Sequence, residues 1–410
     1  MITKNIRKES VVAVMKAKTA EYSKVDFRNL LEQAIAALNS AGIAFPKSGT
    51  VFIKPNLVTP DLATQSITTD PHFISALIEL LLENGVNKVF VGDSSASFIK
   101  SETAYKVTGL GDAVSTSGGI LVNIDDPAER VSISLPGSDI LESISVPRKA
   151  LGADCLINFG KIKTHRVGSF TCCVKNYVGF IDQETRLKNH QSRLPKLVAE
   201  LHRAMPEMIC FGDGIIVGEG DGPDLSTPRF LGALLASNDP VALDVIGAQL
   251  LGININELVF PWTAYLEGVG EIDPNHIHLI GTRPEEIAIS IDKPNEVLYN
   301  RFPCHVVLGG MCEGCFAWFI GPALFWKRDG VWDKITKNVG RPTVMLGFNA
   351  VDRNFEKHLK EGPYFVIGDC TPPKFQQDSS TVFIPGCCPG PAIPDKILKA
   401  CKVTAEEVKE

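Results

Sequence analysis

Three short β-branched and aromatic runs in the last hundred residues each end in cysteine, and this restricts the fold more than any other feature. They read HVVLGGMCEGC (Cys312, Cys315), YFVIGDC (Cys370) and TVFIPGCC (Cys387, Cys388). Runs of this kind, bounded by glycine, are those of buried strands. If the strands lie parallel, their carboxyl ends share one edge of a sheet, the edge at which α/β proteins collect ligands. Cys312, Cys315, Cys370 and Cys387 would then meet at one point although they are far apart in sequence. Four thiolates make a soft-metal site, for which an iron–sulfur cluster is the first occupant and zinc the alternative. Cys155, Cys172, Cys173, Cys210, Cys304 and Cys401 read as bystanders, with a reservation for the adjacent Cys172 and Cys173.

The rest of the chain alternates strand and helix. Strands are predicted at 11–18, 50–56 and 88–95, with helices over Phe27–Ala41 and from Pro71 to Asn84. Asp70 is placed to cap the second helix, Pro71 to occupy its first position and Asn84–Gly85 to close it. Residues 120–125 and 130–135 interrupt the alternation as a side hairpin or edge. Further on, CLINFGKIKTH (155–165) reads as a strand running into a basic loop, and SFTCCVKNYVGF (169–180) as a helix. A polar helical segment is expected over 184–204 and a strand with a glycine- and acid-rich loop over 208–223. Residues 230–252 read as a strand, an Asn238–Asp239–Pro240 break and a helix. Alternation of this sort predicts a parallel sheet covered by helices. The pattern weakens before residue 295, which sets a boundary between a parallel-sheet α/β domain (1–295) and a smaller, flavodoxin-like α/β domain (296–410) carrying the cysteines.

Several basic residues stand just after strands or in the following loops: Lys54, Lys161, Lys163, His165 and Lys175. Grouped there, they describe a basic crevice for a carboxylate or phosphate, in which Lys161, Lys163, His165 and Lys175 would bind and protonate. Lys54, Asn56, Ser94, Asn176 and Asp213 are placed to complete substrate binding. Taken singly, each lysine is as well explained as a solvated loop residue. Asp239 reads as the cap of the helix after it, and Asp244 as a complement to that helix dipole.

Other classes are poorly supported. The formal net charge of −6 argues against a general nucleic-acid binder. No GxxxxGK[ST] or GxSxG motif occurs, and the first strand turn lacks a dinucleotide fingerprint. The apolar stretch from Phe316 to Trp326 is broken at Gly321–Pro322 and is too short to span a bilayer. No secretory signal is visible, so eleven cysteines point to reduced thiols in a cytoplasmic protein rather than a disulfide scaffold. Trp318, Phe319 and Trp326, which follow the CxxC pair, read by default as core or as a homo-oligomer interface.

Residues 1 to about 290 resemble the domain-of-unknown-function family 362, a family widespread in anaerobes and often fused to cluster-binding domains. The residues that carry the likeness are Lys54-Pro55-Asn56-Leu57-Val58, Gly92-Asp93-Ser94, Lys161-x-Lys163-Thr164-His165, and Val174-Lys175-Asn176 with Gly179. Asp213-Gly214, Gly220-x-Gly222-Pro223 and Ser237-x-Asp239-Pro240-Val241-Ala242-x-Asp244 continue it. The last hundred residues resemble the cluster-binding unit of the nickel–iron hydrogenase small subunit and its complex I homologue. Cys312-Glu313-Gly314-Cys315, Gly368-Asp369-Cys370 and Pro385-Gly386-Cys387 follow that family's order, with Cys388 standing where the family has proline. The resemblance implies one [4Fe–4S] cluster on Cys312, Cys315, Cys370 and Cys387. The combined expectation is an oxidoreductase that passes electrons from the cluster to a small anionic metabolite. The alternatives are an electron-transfer or maturation protein that serves a redox partner and has no substrate of its own, and a non-redox enzyme with structural zinc.

Overall fold

The computed structural model describes residues 9–96, 99–165, 168–189, 193–223, 225–293, 302–309, 313–348 and 350–404; Cys312 lies outside them. The chain divides into two compact units, one of Met1–Arg186 with Arg193–Pro294, the other of Leu187–Ser192 with Asn295–Glu410.

The first unit is built on strands β1 (Ser10–Lys16), β2 (Thr50–Lys54), β3 (Lys88–Val91), β4 (Ile120–Leu121), β5 (Arg130–Ser134), β6 (Ser143–Pro147), β7 (Cys155–His165), β8 (Ser169–Thr171), β9 (Met208–Asp221), β10 (Leu225–Ser237) and β11 (Ile277–Gly281). The large sheet runs β11-β1-β10-β9-β7-β2-β3-β4, with β8 folded back on β7, while β5 and β6 form a separate hairpin. It is mainly parallel: β9, β7, β2, β3 and β4 run one way, and β10 is antiparallel to both β9 and β1. Helices cover both faces. On one, Phe73, Phe159 and Phe211 form a ring stack with centroids 5.3–5.4 Å apart. On the other, Ile162, Phe170, Tyr177, Phe180 and Leu243 belong to a second buried cluster.

Helix Pro71–Glu83 begins as its sequence predicts, with the Asp70 carboxylate accepting from His72 N and proline at the first position. Asp239 caps helix Pro240–Leu250 in the same way, accepting from Val241 N at 2.8 Å and Ala242 N at 3.1 Å. The strand boundaries depart from expectation at three places. β7 continues through the predicted basic loop to His165, and β9 through the predicted acidic loop to Asp221. Residues 169–180, predicted as one helix, are β8, a short helix Cys173–Asn176 and a 3₁₀ turn Tyr177–Phe180. Long-range pairing of β8 on β7 and of β10 on β9 outweighs local propensity there. Residues 184–204 likewise form two helices, Gln183–Asn189 and Leu194–Ala204.

The second unit holds β12 (His305–Leu308), β13 (Thr343–Leu346), β14 (Tyr364–Ile367) and β15 (Thr381–Ile384), all parallel and in chain order across the sheet. The register aligns Leu308, Leu346, Ile367 and Ile384, so their carboxyl ends share one edge. Helix Glu313–Arg328 supplies core: Phe319 and Trp326 are buried, and Trp332 Nε1 donates to Ala323 O at 2.9 Å. The default reading of the aromatic stripe as core therefore holds for Phe319 and Trp326, while Trp318 is half-buried.

Candidate functional site

Because β7 extends to His165, its two-residue period sorts its side chains cleanly. Ile157, Phe159, Lys161, Lys163 and His165 share one face, and Leu156, Asn158, Gly160, Ile162 and Thr164 the other. Lys161 is paired in register with Asp213 on β9, and its Nζ donates to Asp213 Oδ2 at 2.8 Å. The same oxygen accepts from Asp70 N at 2.9 Å, which ties the start of helix Pro71–Glu83 to the pair. Asp70 in turn accepts from Tyr22 OH at 2.5 Å. Burial pushes the Asp213 carboxyl up, and Lys161 opposes that push.

Lys163 Nζ donates to Asn56 Oδ1 at 2.6 Å and to the Ile67 carbonyl. Asn56 Nδ2 donates to Asn176 Oδ1 at 3.0 Å, and the same acceptor takes a bond from Lys54 Nζ at 3.2 Å. Lys54 itself sits 2.6 Å from Asp93 Oδ1, with both side chains at most 2% exposed. Asp93 Oδ2 accepts from Leu57 N at 2.7 Å. Burial pulls the Lys54 ammonium down and pushes the Asp93 carboxyl up, each countered by the other's charge. Gly179 makes room for the pair: a Cβ there would lie 1.9 Å from Asp93 Oδ1 and 2.8 Å from Lys54 Nζ. A continuous chain, buried except at the half-buried Asn56, thus runs Asp93–Lys54–Asn176–Asn56–Lys163.

The structure therefore brings Lys54, Asn56, Lys163 and Asn176 into one network and Lys161 with Asp213 into another, but turns both inward. Lys54, Lys161, Lys163 and His165 are each at most 1% exposed, so the expected open basic cleft is a row of buried, hydrogen-bonded basic side chains. For Lys161, Lys163 and His165 the reason is the length of β7, which keeps these side chains within the sheet rather than on a loop beyond it. His165 Nδ1 accepts from Gly168 N at 3.3 Å. Lys175 lies over the Phe260 ring, 5.5 Å from its centroid. Ser94 turns to Asp125 (2.6 Å) and to Arg186 (2.5 Å), in a polar cluster with Ser101.

A cluster that sequence reasoning set aside lies behind β7. Cys172 and Cys173 place their sulfurs 3.9 Å apart, and with an Asp244 oxygen all three donor atoms fall within 4.8 Å of one another. Asp244 is not a simple complement to its helix: its two oxygens accept from Cys173 N (2.6 Å) and Val174 N (3.1 Å). Burial, the largest influence, raises the Cys173 thiol. Hydrogen bonds from the Cys172 and Cys210 thiols and the Gly160 amide, with the Lys54 charge, outweigh it and bring Cys173 to about 5. Burial pushes Cys172, Cys210 and Asp244 well above their ordinary values. Gly160 is needed because a Cβ there would lie 2.7 Å from the Cys172 carbonyl carbon. The adjacent CC pair was the available sequence signal; its partner Asp244, 71 residues on, was not.

In the second unit, Cys315 lies in the first turn of helix Glu313–Arg328, Cys370 follows β14 and Cys387 follows β15. A Cβ on Gly368, at φ +89°, would stand 3.4 Å from Cys315 Sγ and 3.6 Å from Cys370 Sγ, so both sulfurs face one point above this residue. Asp369 N donates to Gly386 O (3.2 Å) and Gly386 N to Asp369 Oδ1 (2.8 Å), which holds the Cys370 and Cys387 loops side by side. Cys388 Sγ accepts from Gly390 N at 3.4 Å. Two thiols beside a side-chain-free glycine fit part of a thiolate-held metal group, although among the described residues no third donor of this unit completes it. By contrast Cys304 and Cys401 are buried, and burial raises both thiols to about 12. Among the described residues, no helix is long and apolar enough to cross a membrane.

Known proteins resemble the chain, among them the following two. Thylakoid-associated protein sll1697 of Synechocystis sp. is 29% identical over 268 residues, covering 62% of this chain and 79% of that protein. The lactate racemase apoprotein from Thermoanaerobacterium thermosaccharolyticum superposes with a TM-score of 0.38 and 10% identity, over 98% of this chain and 92% of its own. A superposition that loose carries no functional argument. Residues 51–249, the stretch that contains the lysine networks and the Cys172–Cys173–Asp244 cluster, match the family model Domain of unknown function (DUF362), which supports the family likeness of the first part of the chain.

Proposed function

We propose that the protein is an iron–sulfur oxidoreductase, with one [4Fe–4S] cluster held by Cys312, Cys315, Cys370 and Cys387. The observation that carries this reading is the approach of Cys315 and Cys370 to a common point above Gly368, at the carboxyl edge of a four-stranded parallel sheet. The order of the cysteine motifs, which in the sequence resembles that of the nickel–iron hydrogenase small subunit, points to the same ligand set. A cluster held there supplies electrons one at a time. In the first unit, Lys161, Lys163 and His165 on one face of β7, with Lys175 nearby in sequence, are proposed to bind an anionic substrate and supply its protons. Lys54, Asn56, Ser94, Asn176 and Asp213 would orient them. Support for a proton-handling role comes from the buried Lys54–Asp93 pair, in which desolvation lowers the ammonium and raises the carboxyl, drawing the two toward sharing a proton.

The burial of the basic row favours a second reading, an electron carrier or maturation partner without a substrate of its own. Anaerobic purification with iron, sulfide and zinc analysis tests the common core of both. About four irons per chain, lost on Cys370→Ser, is the expected result. Stoichiometric zinc without iron would overturn it. Calorimetric titration with small carboxylates and phosphates then separates the two readings: saturable binding lost on Lys163→Met supports the oxidoreductase, and no binding supports the carrier.

A further inference from the structure

We propose that the first unit carries a second metal site, a zinc ion bound by Cys172, Cys173 and Asp244, with Cys210 as the nearest further donor. The geometry is the first argument. Two sulfurs bound at about 2.3 Å to one tetrahedral zinc lie roughly 3.8 Å apart. The Cys172 and Cys173 sulfurs are 3.9 Å apart. A disulfide would require them at about 2.05 Å. The pair is therefore spaced to share an ion rather than to bond to each other. The third donor decides the class of ion. A carboxylate oxygen joining two thiolates suits zinc better than a purely soft ion, which would favour sulfur throughout.

The second argument is charge. Asp244 is 1% exposed, and its oxygens meet two backbone N–H groups. Among the described residues no cationic side chain forms a salt bridge with it. Buried carboxylates are paired with a cation, protonated or bound to a metal. Cys172 and Cys173, at 2% and 0% exposure, close the same space from the other side, and Cys210, also 0% exposed, borders Cys173. A dication there offsets two of the three negative charges carried by the carboxylate and the two thiolates it binds. The backbone of the short helix Cys173–Asn176 is already anchored on Asp244, so the donors are held in place before any ion arrives.

This site shares no residue with the proposed cluster site, and the two can fail independently. The test uses the full chain with Cys312, Cys315, Cys370 and Cys387 changed to serine, expressed in zinc-supplemented medium and dialysed against EDTA. The expected result is one zinc per chain, with X-ray absorption showing two or three sulfurs and at least one oxygen around it. Zinc content should fall at least tenfold in Cys173→Ser and in Asp244→Asn, each checked for folding by circular dichroism. In the unaltered chain, Cys172→Ser should lower zinc by one equivalent and leave iron unchanged. No retained zinc in the folded parent chain, or a zinc shell with fewer than two sulfurs, overturns the proposal whether or not the point variants fold.

Discussion

Replacing Lys54 with methionine isolates the energetics of the buried network. Methionine nearly matches the side-chain length but leaves Asp93 without its cation, and Asp93 is 2% exposed. The backbone amides of Leu57, at 2.7 Å, and of Ser94 still donate to it but do not neutralise it. Breaking one side of a buried ion pair costs roughly 3–5 kcal/mol. In a unit of this size that is on the order of 10 °C in melting midpoint. The penalty also has a sign in pH. Burial already raises the Asp93 carboxyl, and loss of Lys54 removes the charge that opposed it. The folded variant then holds a proton that the unfolded chain releases, so its stability falls as pH rises above the ordinary carboxylate range. Urea denaturation of the full chain, followed by near-ultraviolet circular dichroism at pH 5 and pH 8, should show a larger deficit at pH 8. Adding Asp93→Leu should restore a large part of the loss, since removing both partners removes the orphaned charge. A cost below about 1 kcal/mol, or a double variant no better than the additive sum, would refute the assignment of this pair as a strongly coupled buried contact.

Gly179→Ala places its methyl 1.9 Å from Asp93 Oδ1, and it should cost at least the ~1–3 kcal/mol of an overpacked core, read as a lowered thermal midpoint. Asp70→Asn keeps the helix cap but removes a carboxylate held below its ordinary range: burial works against that shift, while His72, Lys161 and Tyr22 outweigh it. The stability due to Asp70 is present above the ordinary carboxylate range and lost as pH falls through the depressed value. The variant should therefore be about 2 kcal/mol less stable at pH 7, and the gap should narrow steadily as the pH falls below the ordinary carboxylate range in urea titrations. Gly368→Ala forces a left-handed φ on a residue with a Cβ, at roughly 1–2 kcal/mol, and puts a methyl where the Cys315 and Cys370 sulfurs converge. Iron content should drop severalfold while Gly390→Ala, at φ +60° and 4.0 Å from Trp318, retains it.

Much of the second unit was legible because its signals are local. Each of HVVL, TVML, YFVI and TVFI is a contiguous apolar run followed by a glycine or proline, and each is a strand in the sheet. Parallel order follows from the helices between them, so the alignment of the strands' carboxyl ends along one edge, with the Cys370 and Cys387 loops just beyond it, could be read before any coordinates. The capping of Pro71–Glu83 and Pro240–Leu250 was equally local, an Asp–Pro pair ahead of an apolar helix.

The first unit's site was only half legible. The KIKTH and Val174-Lys175-Asn176 segments announced charge, but a lysine after a strand reads the same whether the strand stops or continues. Only the pairing of β7 with β8 and β9 settled that Lys161 and Lys163 stay within the sheet, and hence that they are buried rather than lining an open crevice. The partners that neutralise or hold them, Asp213 and Asn56, are 52 and 107 residues distant along the chain. The Cys173–Asp244 contact spans 71. Local periodicity encodes strands, caps and turn residues because those depend on neighbours a few positions away. Which carboxylate meets which ammonium, and which thiols face one another, depends on register between distant strands, and tertiary packing alone decides it.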